Sequence, residues 1–410
     1  MNVALIHYSV PPVVGGVETV LARQAQQFER AGHQVMILAG RGEAWHERIP
    51  VVVLPEMDSR HPQVLEAKAA LDRGEVPPQF ATLASRLETD LREALAGIDA
   101  VVVHNAASLH KNLPLTAALH RISQGPGAPV FILWHHDLAW NADRYAGELH
   151  PGQPWDLLRT AWPGARQVVV SEARREELSA LMGIAPESIS VVPAGLDLPD
   201  FLALPPAVAR IVDQVRLTAA APILLAPVRI TRRKNLELAL TTLAALRVDM
   251  PAAALVITGP PGAHNPANAG YMRELQELRA RLGLEGAAHL IAEWQPDGLS
   301  DAEVAAFFRV ADALFMPSRE EGFGIPVLEA GLAYLPMFCS DIPALRALAG
   351  DSGIFFSPDA DPVKLAAAVR DRLQSDPIYC HRARVRQNYT WEAVYEKQIA
   401  PLLGDRKGDV

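Results

Sequence analysis

Short β-rich apolar runs alternating with helical patterns are the feature that most narrows what this chain can fold into. In the first half they fall at residues 3–6, 35–38, 51–54, 100–103, 130–134 and 167–170. Runs rich in Val, Ile and Leu, without polar alternation, belong to strands buried on both faces. Helical stretches between such strands act as crossovers, so the pattern predicts a parallel α/β sheet. The stretch Phe80, Leu83, Leu87, Leu91 and Leu95 repeats apolar residues at intervals of three and four, which predicts an amphipathic helix packed on that sheet.

The alternation restarts at residues 223–228 and continues through 254–258, 289–291, 313–316, 337–339 and 353–356. A chain of 410 residues also exceeds the roughly 250–300 at which single cores stop growing. Two doubly wound domains are therefore expected, with a boundary after Val191-Val192-Pro193-Ala194-Gly195-Leu196-Asp197 and ahead of a proline-containing stretch to Pro206. The expected limits are 1–197 and 198–388, with 389–410 as a terminal helix bridging the domains through Trp391, Val394, Tyr395, Ile399 and Leu402. Open α/β sheets bind ligands beyond the carboxyl ends of their strands, so the two units are expected to face a shared interdomain cleft.

Half of the residues are hydrophobic, 21% are charged and the formal net charge is −9. That balance argues against nucleic acid and anionic membrane surfaces, which select basic patches. The first residues lack a basic, cleavable leader, and no apolar run reaches the roughly 18 residues of a membrane span. A cytoplasmic protein without a transmembrane segment is expected. Cys339 and Cys380 have no metal-ligand or redox spacing.

The sharpest local feature is Ser318-Arg319-Glu320-Glu321-Gly322-Phe323-Gly324-Ile325-Pro326-Val327-Leu328-Glu329-Ala330, which follows a strand and opens a helix. Glycines let backbone approach a ligand, and the N–H groups and dipole of a helix start favour an anion. Glu321 would stand in the loop and Glu329 about two turns along the helix. Taken alone, the spacing is also that of a helix cap followed by a surface ion pair.

In its full context this segment resembles the hallmark of the retaining glycosyltransferases of family 4 (glycosyl transferases group 1), in the GT-B superfamily. The resemblance extends over nearly the whole chain and implies two Rossmann-like domains. Gly15-Gly16-Val17-Glu18 looks like the family's N-terminal glycine loop, whose amides approach the donor phosphate across the cleft; an ordinary strand-to-helix turn would look the same. Arg229-Ile230-Thr231-Arg232-Arg233-Lys234-Asn235 resembles the family's R-x(4)-K signature, matched by Arg229 and Lys234, while Arg232 and Arg233 read as a solvated basic turn. A departing nucleoside diphosphate gains negative charge, so fixed cations there stabilise the leaving group without a metal.

His136 in Trp134-His135-His136-Asp137-Leu138 matches a histidine that the family often carries before aspartate, serving the donor sugar or the acceptor. A metal site or a structural pair with His135 is the other reading, although adjacent side chains point apart in regular structure. Val192-Pro193-Ala194-Gly195-Leu196-Asp197 resembles the family's linker, with Ala194 replacing its usual asparagine. Gly259-Pro260-Pro261-Gly262 stands where the family has a glycine loop beside the nucleotide, and its prolines depart from that pattern. Asp359-Ala360-Asp361 has the form of a metal-binding D-x-D, but its place before Pro362 and a helical run fits helix capping.

The implied activity is transfer of a hexosyl group from a nucleotide diphosphate sugar (UDP-, GDP- or ADP-sugar) to an acceptor hydroxyl, with retention, no metal and no further cofactor. The resemblance implies catalytic roles for Glu321, His136, Arg229 and Lys234. It implies donor contacts from Gly15, Gly16, Phe323, Gly324, Ile325 and Glu329. Asn105, His135, Arg144 and Tyr145 are candidates for the acceptor side, in segments that also read as surface loops. The expected acceptor is a soluble sugar or small glycoside. A nucleotide-sugar epimerase or hydrolase on the same fold, or a non-catalytic nucleotide-sugar sensor, are the alternatives. Donor base, acceptor identity and oligomeric state are not legible.

Overall fold

The computed structural model describes residues 1–262 and 267–404. The chain divides into two compact units, Met1–Gly195 joined by the segment from Trp391 onward, and Leu196–Thr390. Each is a doubly wound, Rossmann-like α/β unit.

The first unit carries β1 (Asn2–His7), β2 (Gln34–Ala39), β3 (Val51–Val53), β4 (Ala100–His104), β5 (Val130–His135), β6 (Arg166–Val169) and β7 (Ile189–Val191). They form one seven-stranded sheet in the order β3-β2-β1-β4-β5-β6-β7, and every pairing is parallel. Side chains alternate between its two cores. Ala4, Ile6, Val101, Val103 and Leu133 pack with Leu83, Leu87 and Leu91 of the helix Gln79–Ala94 on one face. Val3, Leu5, Val102, Ile132 and Trp134 pack with Leu21, Ala25 and Phe28 of the helix Gly16–Arg30 on the other. Strands covered on both sides need apolar residues at every position, which is why their runs show no polar alternation.

Strand β7 was not among the expected runs. It is only three residues long, two of them half-exposed, and it merges with the segment leading to Pro193.

The second unit carries β8 (Ile223–Ala226), β9 (Ala254–Ile257), β10 (Ala288–Leu290), β11 (Ala313–Met316), β12 (Met337–Ser340) and β13 (Gly353–Phe356). Their order is β10-β9-β8-β11-β12-β13, again wholly parallel. In both sheets the winding reverses beside the unit's first strand, between β1 and β4 and between β8 and β11. At such a switch point neighbouring connections leave to opposite faces and the carboxyl edge stays open for a ligand.

The residues expected to bridge the domains run as a helical segment from Trp391 to Leu403 with a π-helical turn at Tyr395–Ile399. Val394, Tyr395, Ile399 and Leu402 join the first unit's core beside Phe28 and Ile37. Residues 405–410 of that expected helix lie outside the described residues.

One buried ion pair ties the second sheet together. Arg386 Nη1 donates to Asp312 Oδ1 at 2.8 Å, and Asp312 Oδ2 accepts the N–H of Ile223 at 2.8 Å. Both side chains are almost wholly excluded from solvent, so the helix Pro377–Tyr389 is fastened to the starts of β8 and β11. Arg386→Met would leave Asp312 charged and unpaired. It should cost about 3–5 kcal/mol of unfolding free energy, measured by urea denaturation. A loss no larger than that of a surface substitution would overturn this assignment.

Candidate active site

In the second unit the switch point gathers two loops. The loop after β8 runs through Arg229 and ends in a single 3-10 turn, Arg232–Lys234, from which Lys234 points inward while Arg229, Arg232 and Arg233 are exposed. It is stitched to the loop after β9, where Ile230 N–H donates to the Pro260 carbonyl at 3.0 Å. Gly259 is obligatory there because a Cβ would stand 2.2 Å from the Val228 carbonyl oxygen.

The loop after β11 carries Ser318 and Glu321 and ends at Gly324, whose φ of +102° forms the N-cap of the helix Ile325–Leu332. A side chain at Gly324 would be strained by that φ and would press on Leu345, so the glycine is set by both backbone and packing.

The two loops meet at one carboxylate. Lys234 Nζ lies 2.5 Å from Glu321 Oε1, and Ser318 Oγ donates to the same oxygen at 2.7 Å. Both members of the ion pair are nearly buried. Burial pulls the Lys234 ammonium below its usual range, and the Glu321 carboxylate pulls against it. Lys234 and Glu321 were expected to serve separate ends of a donor; the structure brings them together.

Arg232 is held by Glu274 at 2.6 Å and lies over the Tyr271 ring. Arg229 and Arg233 have no carboxylate partner among the described residues, so theirs is the positive charge left available. Phe323 and Ile325 are exposed at the helix start. Glu329 sits half-buried on the same helix, its carboxyl pushed up by burial and by Asp301. Asp361 caps the helix Pro362–Gln374 through the N–H of Val363, and Asp359 pairs with Arg319 at 2.7 Å, so both acids of the D-x-D are engaged.

In the first unit the strands flanking the switch point, and the next one along, all end in histidine: His7 on β1, His104 on β4, and His135 on β5, with His136 just beyond it. His104 Nδ1 lies 3.0 Å from His136 Nε2, and His7 Nδ1 donates to the His104 carbonyl at 3.1 Å. Asn105 does not present its amide oxygen to solvent. Its Oδ1 accepts the N–H of His136 at 2.8 Å and of Asp137 at 3.3 Å. His135 turns into the sheet, wholly buried, with Nε2 2.8 Å from Gln167 Oε1, and offers no polar atom to a ligand. The pleat explains the split, because successive side chains on β5 face opposite ways.

Arg144 lies over the Tyr145 ring with its guanidinium 3.8 Å from the carboxylate of Asp137, the residue after His136. At the glycine loop, Gly15 is the N-cap of the helix Gly16–Arg30, and Glu18 folds back so closely that a Cβ on Gly15 would stand 2.1 Å from its carboxylate. Ser9 Oγ donates to Glu18 Oε1 at 2.7 Å. The positive end of this helix is thus approached by the chain's own anion, where a phosphate contact by Gly15 and Gly16 was expected.

Among the described residues, Asp72, His110 and Glu148 bring ligand-type atoms within 4.8 Å of one another. Lys68 Nζ already lies 2.6 Å from Asp72 and 2.8 Å from Glu148, and its ammonium supplies the cation there. Together with His110 it holds the Glu148 carboxyl down at about 2.

Sequence reasoning missed His7, His104 and the anchoring role of Ser318. A usable signal existed for the histidines, since a polar residue that ends an apolar strand run must emerge at the carboxyl edge.

Comparison with known proteins gives two matches that between them span most of the chain. The model described as Glycosyltransferase Family 4 matches residues 14–199, and the one described as Glycosyl transferases group 1 matches residues 210–389. A D-inositol 3-phosphate glycosyltransferase of Kineococcus radiotolerans is 27% identical, across 96% of this chain and 93% of its own. An MMP alpha-(1->4)-mannosyltransferase of Mycolicibacterium hassiacum is 26% identical, across 98% and 99%. Among solved structures, a sucrose-phosphate synthase from Thermosynechococcus elongatus aligns over 98% of both chains at 18% identity, with a TM-score of 0.38.

The histidine edge carries a pH signature. Burial lowers all four rings: His7 and His104 fall below the ordinary 6.5, His135 to about 4 and His136 to about 3. The unfolded chain therefore binds protons that the fold refuses. The stabilisation is complete above about pH 6.5 and is lost progressively as pH falls from there toward the lowered values. Urea unfolding followed from pH 7.5 to 5 should show stability falling below pH 6.5, with a limiting slope of about 1.4 kcal/mol per pH unit for each ring. A flat profile over that window would contradict the buried neutral state.

Proposed function

The chain belongs to glycosyltransferase family 4, and on that premise we propose that it moves a hexosyl group from a nucleotide diphosphate sugar to an acceptor hydroxyl, with retention and without a divalent metal. The observation that carries this reading is the Lys234–Glu321 pair at the switch point of the second sheet, flanked by the exposed Arg229 and Arg233. A diphosphate needs fixed positive charge and a sugar needs a fixed hydrogen-bond acceptor, and this edge offers both within one contact.

In this reading the diphosphate takes the Lys234 ammonium and Arg229. The Glu321 carboxylate, still held by Ser318, is then released to accept hydrogen bonds from the sugar hydroxyls. Until the donor arrives, the ion pair holds both side chains in place, so little reorganisation is needed when charge develops. Backbone N–H groups around Phe323, Gly324 and Ile325 assist the phosphates, and Glu329 takes the ribose. The acceptor hydroxyl attacks the anomeric carbon on the face from which the diphosphate departs. The carbon–oxygen bond to the leaving phosphate breaks, and that phosphate oxygen receives the hydroxyl proton.

His136, Arg144 and Tyr145 serve the acceptor side or the sugar. The acceptor is proposed to be a soluble sugar or small glycoside. No helix among the described residues is long and apolar enough to cross a membrane, and a cytoplasmic location is part of the same proposal.

Radiolabelled transfer from a panel of UDP-, GDP- and ADP-sugars tests the activity, with the product's anomeric configuration read by NMR. Glu321→Ala should lower kcat by at least about a hundredfold, the scale of losing one preorganised transition-state contact. Glu329→Ala should mainly raise the donor KM, as for a contact made equally in ground and transition states. Near-normal kinetics in both variants would sink the site. Transfer should survive EDTA; loss on chelation with recovery on adding magnesium would remove the metal-free claim.

A further inference from the structure

We propose that His104 and Asn105 are positioning residues for His136, and that His104 fixes the His136 tautomer carrying its proton on Nδ1, so that His136 meets its ligand as a hydrogen-bond donor and not as a base. The inference rests on the proposed role of His136 and deepens it.

Two successive residues at the end of β4 grip one residue at the end of β5, the neighbouring strand. Asn105 holds the backbone. Its φ of +56° lies in the left-handed region, which asparagine enters more readily than most residues. From there its Oδ1 accepts two successive N–H groups, those of His136 and Asp137. His104 holds the ring. The two imidazoles are stacked with centroids 5.3 Å apart, and His104 Nδ1 lies 3.0 Å from His136 Nε2.

The proton in that contact has two possible owners, and the surroundings of His104 choose between them. His104 is completely buried, and its Nε2 has no partner among the described residues. If His136 donated from Nε2, the neutral His104 ring would carry its own proton on Nε2 and bury an N–H with no acceptor. If His104 donates from Nδ1, only a lone pair is left bare at Nε2. An orphaned buried N–H forfeits a hydrogen bond that water would supply and is the rarer defect.

His104 is therefore the donor and His136 Nε2 the acceptor, which places the His136 proton on Nδ1. Burial keeps both rings neutral near pH 7, so neither carries a second proton to blur the assignment. His7 completes the row. Its Nδ1 faces the His104 carbonyl oxygen and can only donate, and this fixes the backbone from which the His104 ring projects.

The chemical consequence is specific. With Nε2 committed to His104, the nitrogen left for a ligand is Nδ1, and it bears a hydrogen. His136 can then polarise or hold a hydroxyl oxygen, but it cannot take the acceptor's proton. That proton must leave by the route proposed above, to the departing phosphate.

The test is nitrogen-15 long-range correlation NMR on the full chain without substrate, with the His136 ring assigned by its loss in His136→Gln. His136 should show a protonated Nδ1 and an unprotonated Nε2. In His104→Asn, whose amide can donate from near the position of Nδ1, the tautomer should persist and kcat should stay within about threefold of the parent. In His104→Leu the tautomer should no longer be fixed, so the two ring nitrogens should move toward the averaged signals of an unrestrained neutral imidazole, and kcat should fall by about tenfold, the factor for about 1.4 kcal/mol of lost transition-state stabilisation, at little-changed donor KM.

A protonated Nε2 on His136 in the parent protein would overturn the proposal. So would a His104→Leu variant that is folded and retains both parent tautomer and parent kcat. Should the leucine variant fail to fold, the parent spectrum and the asparagine variant decide. Because the tautomer is read without donor or acceptor, a chain that transfers no sugar while showing the expected tautomer would fail the proposed function and spare this inference.

Discussion

The reversal of winding beside the first strand of each sheet is the constraint on which the rest depends. Between β1 and β4, and again between β8 and β11, successive connections depart to opposite faces, so no helix closes over the carboxyl edge. Polar residues can stand there without being buried in apolar packing. The chain uses both openings, one for a row of neutral imidazoles and the other for a lysine, a glutamate and arginines. The strands themselves, apolar throughout, hold these groups to fixed separations set by the spacing of adjacent strands.

The two edges differ in how they handle charge. In the second unit the charges are real and mutually cancelling: Lys234 and Glu321 are nearly buried yet neutral as a pair, with Ser318 completing the shell of Oε1. An isolated charge at that depth would be costly, and the pair is a way of keeping both available. In the first unit burial has instead discharged the titratable groups, and direction replaces charge. What matters at His104 and His136 is which nitrogen bears the hydrogen. Glu18, folded over Gly15 and held by Ser9, shows a third treatment, an internal carboxylate placed at the start of a helix.

Much of the architecture was legible because strands buried on both faces advertise themselves. Val101, Val102 and Val103 face alternate cores and are all apolar, whereas the short Ile189–Val191, with Ser190 at its centre and only Ile189 buried, carries no such run and went unread. The strand-loop-helix around Gly324 was legible for a local reason, since glycine, proline and the preceding strand lie within a few residues. The Lys234–Glu321 contact was not, because its partners are 87 residues apart and meet only through the adjacency of β8 and β11. The roles of His135 and His136 were separable in principle by the period of a strand. Assigning His104 to His136 required knowing that β4 lies next to β5, which no local pattern states.

The first unit is discontinuous in sequence, with residues 391–403 supplying Val394, Ile399 and Leu402 to the core that Leu21 and Phe28 begin. During synthesis the second unit is therefore available in full before the first can close its apolar face. An N-terminal fragment ending at the linker would expose that face to solvent. The order of completion runs opposite to the order of translation, so the early half keeps part of its apolar face uncovered until the last helical turns emerge.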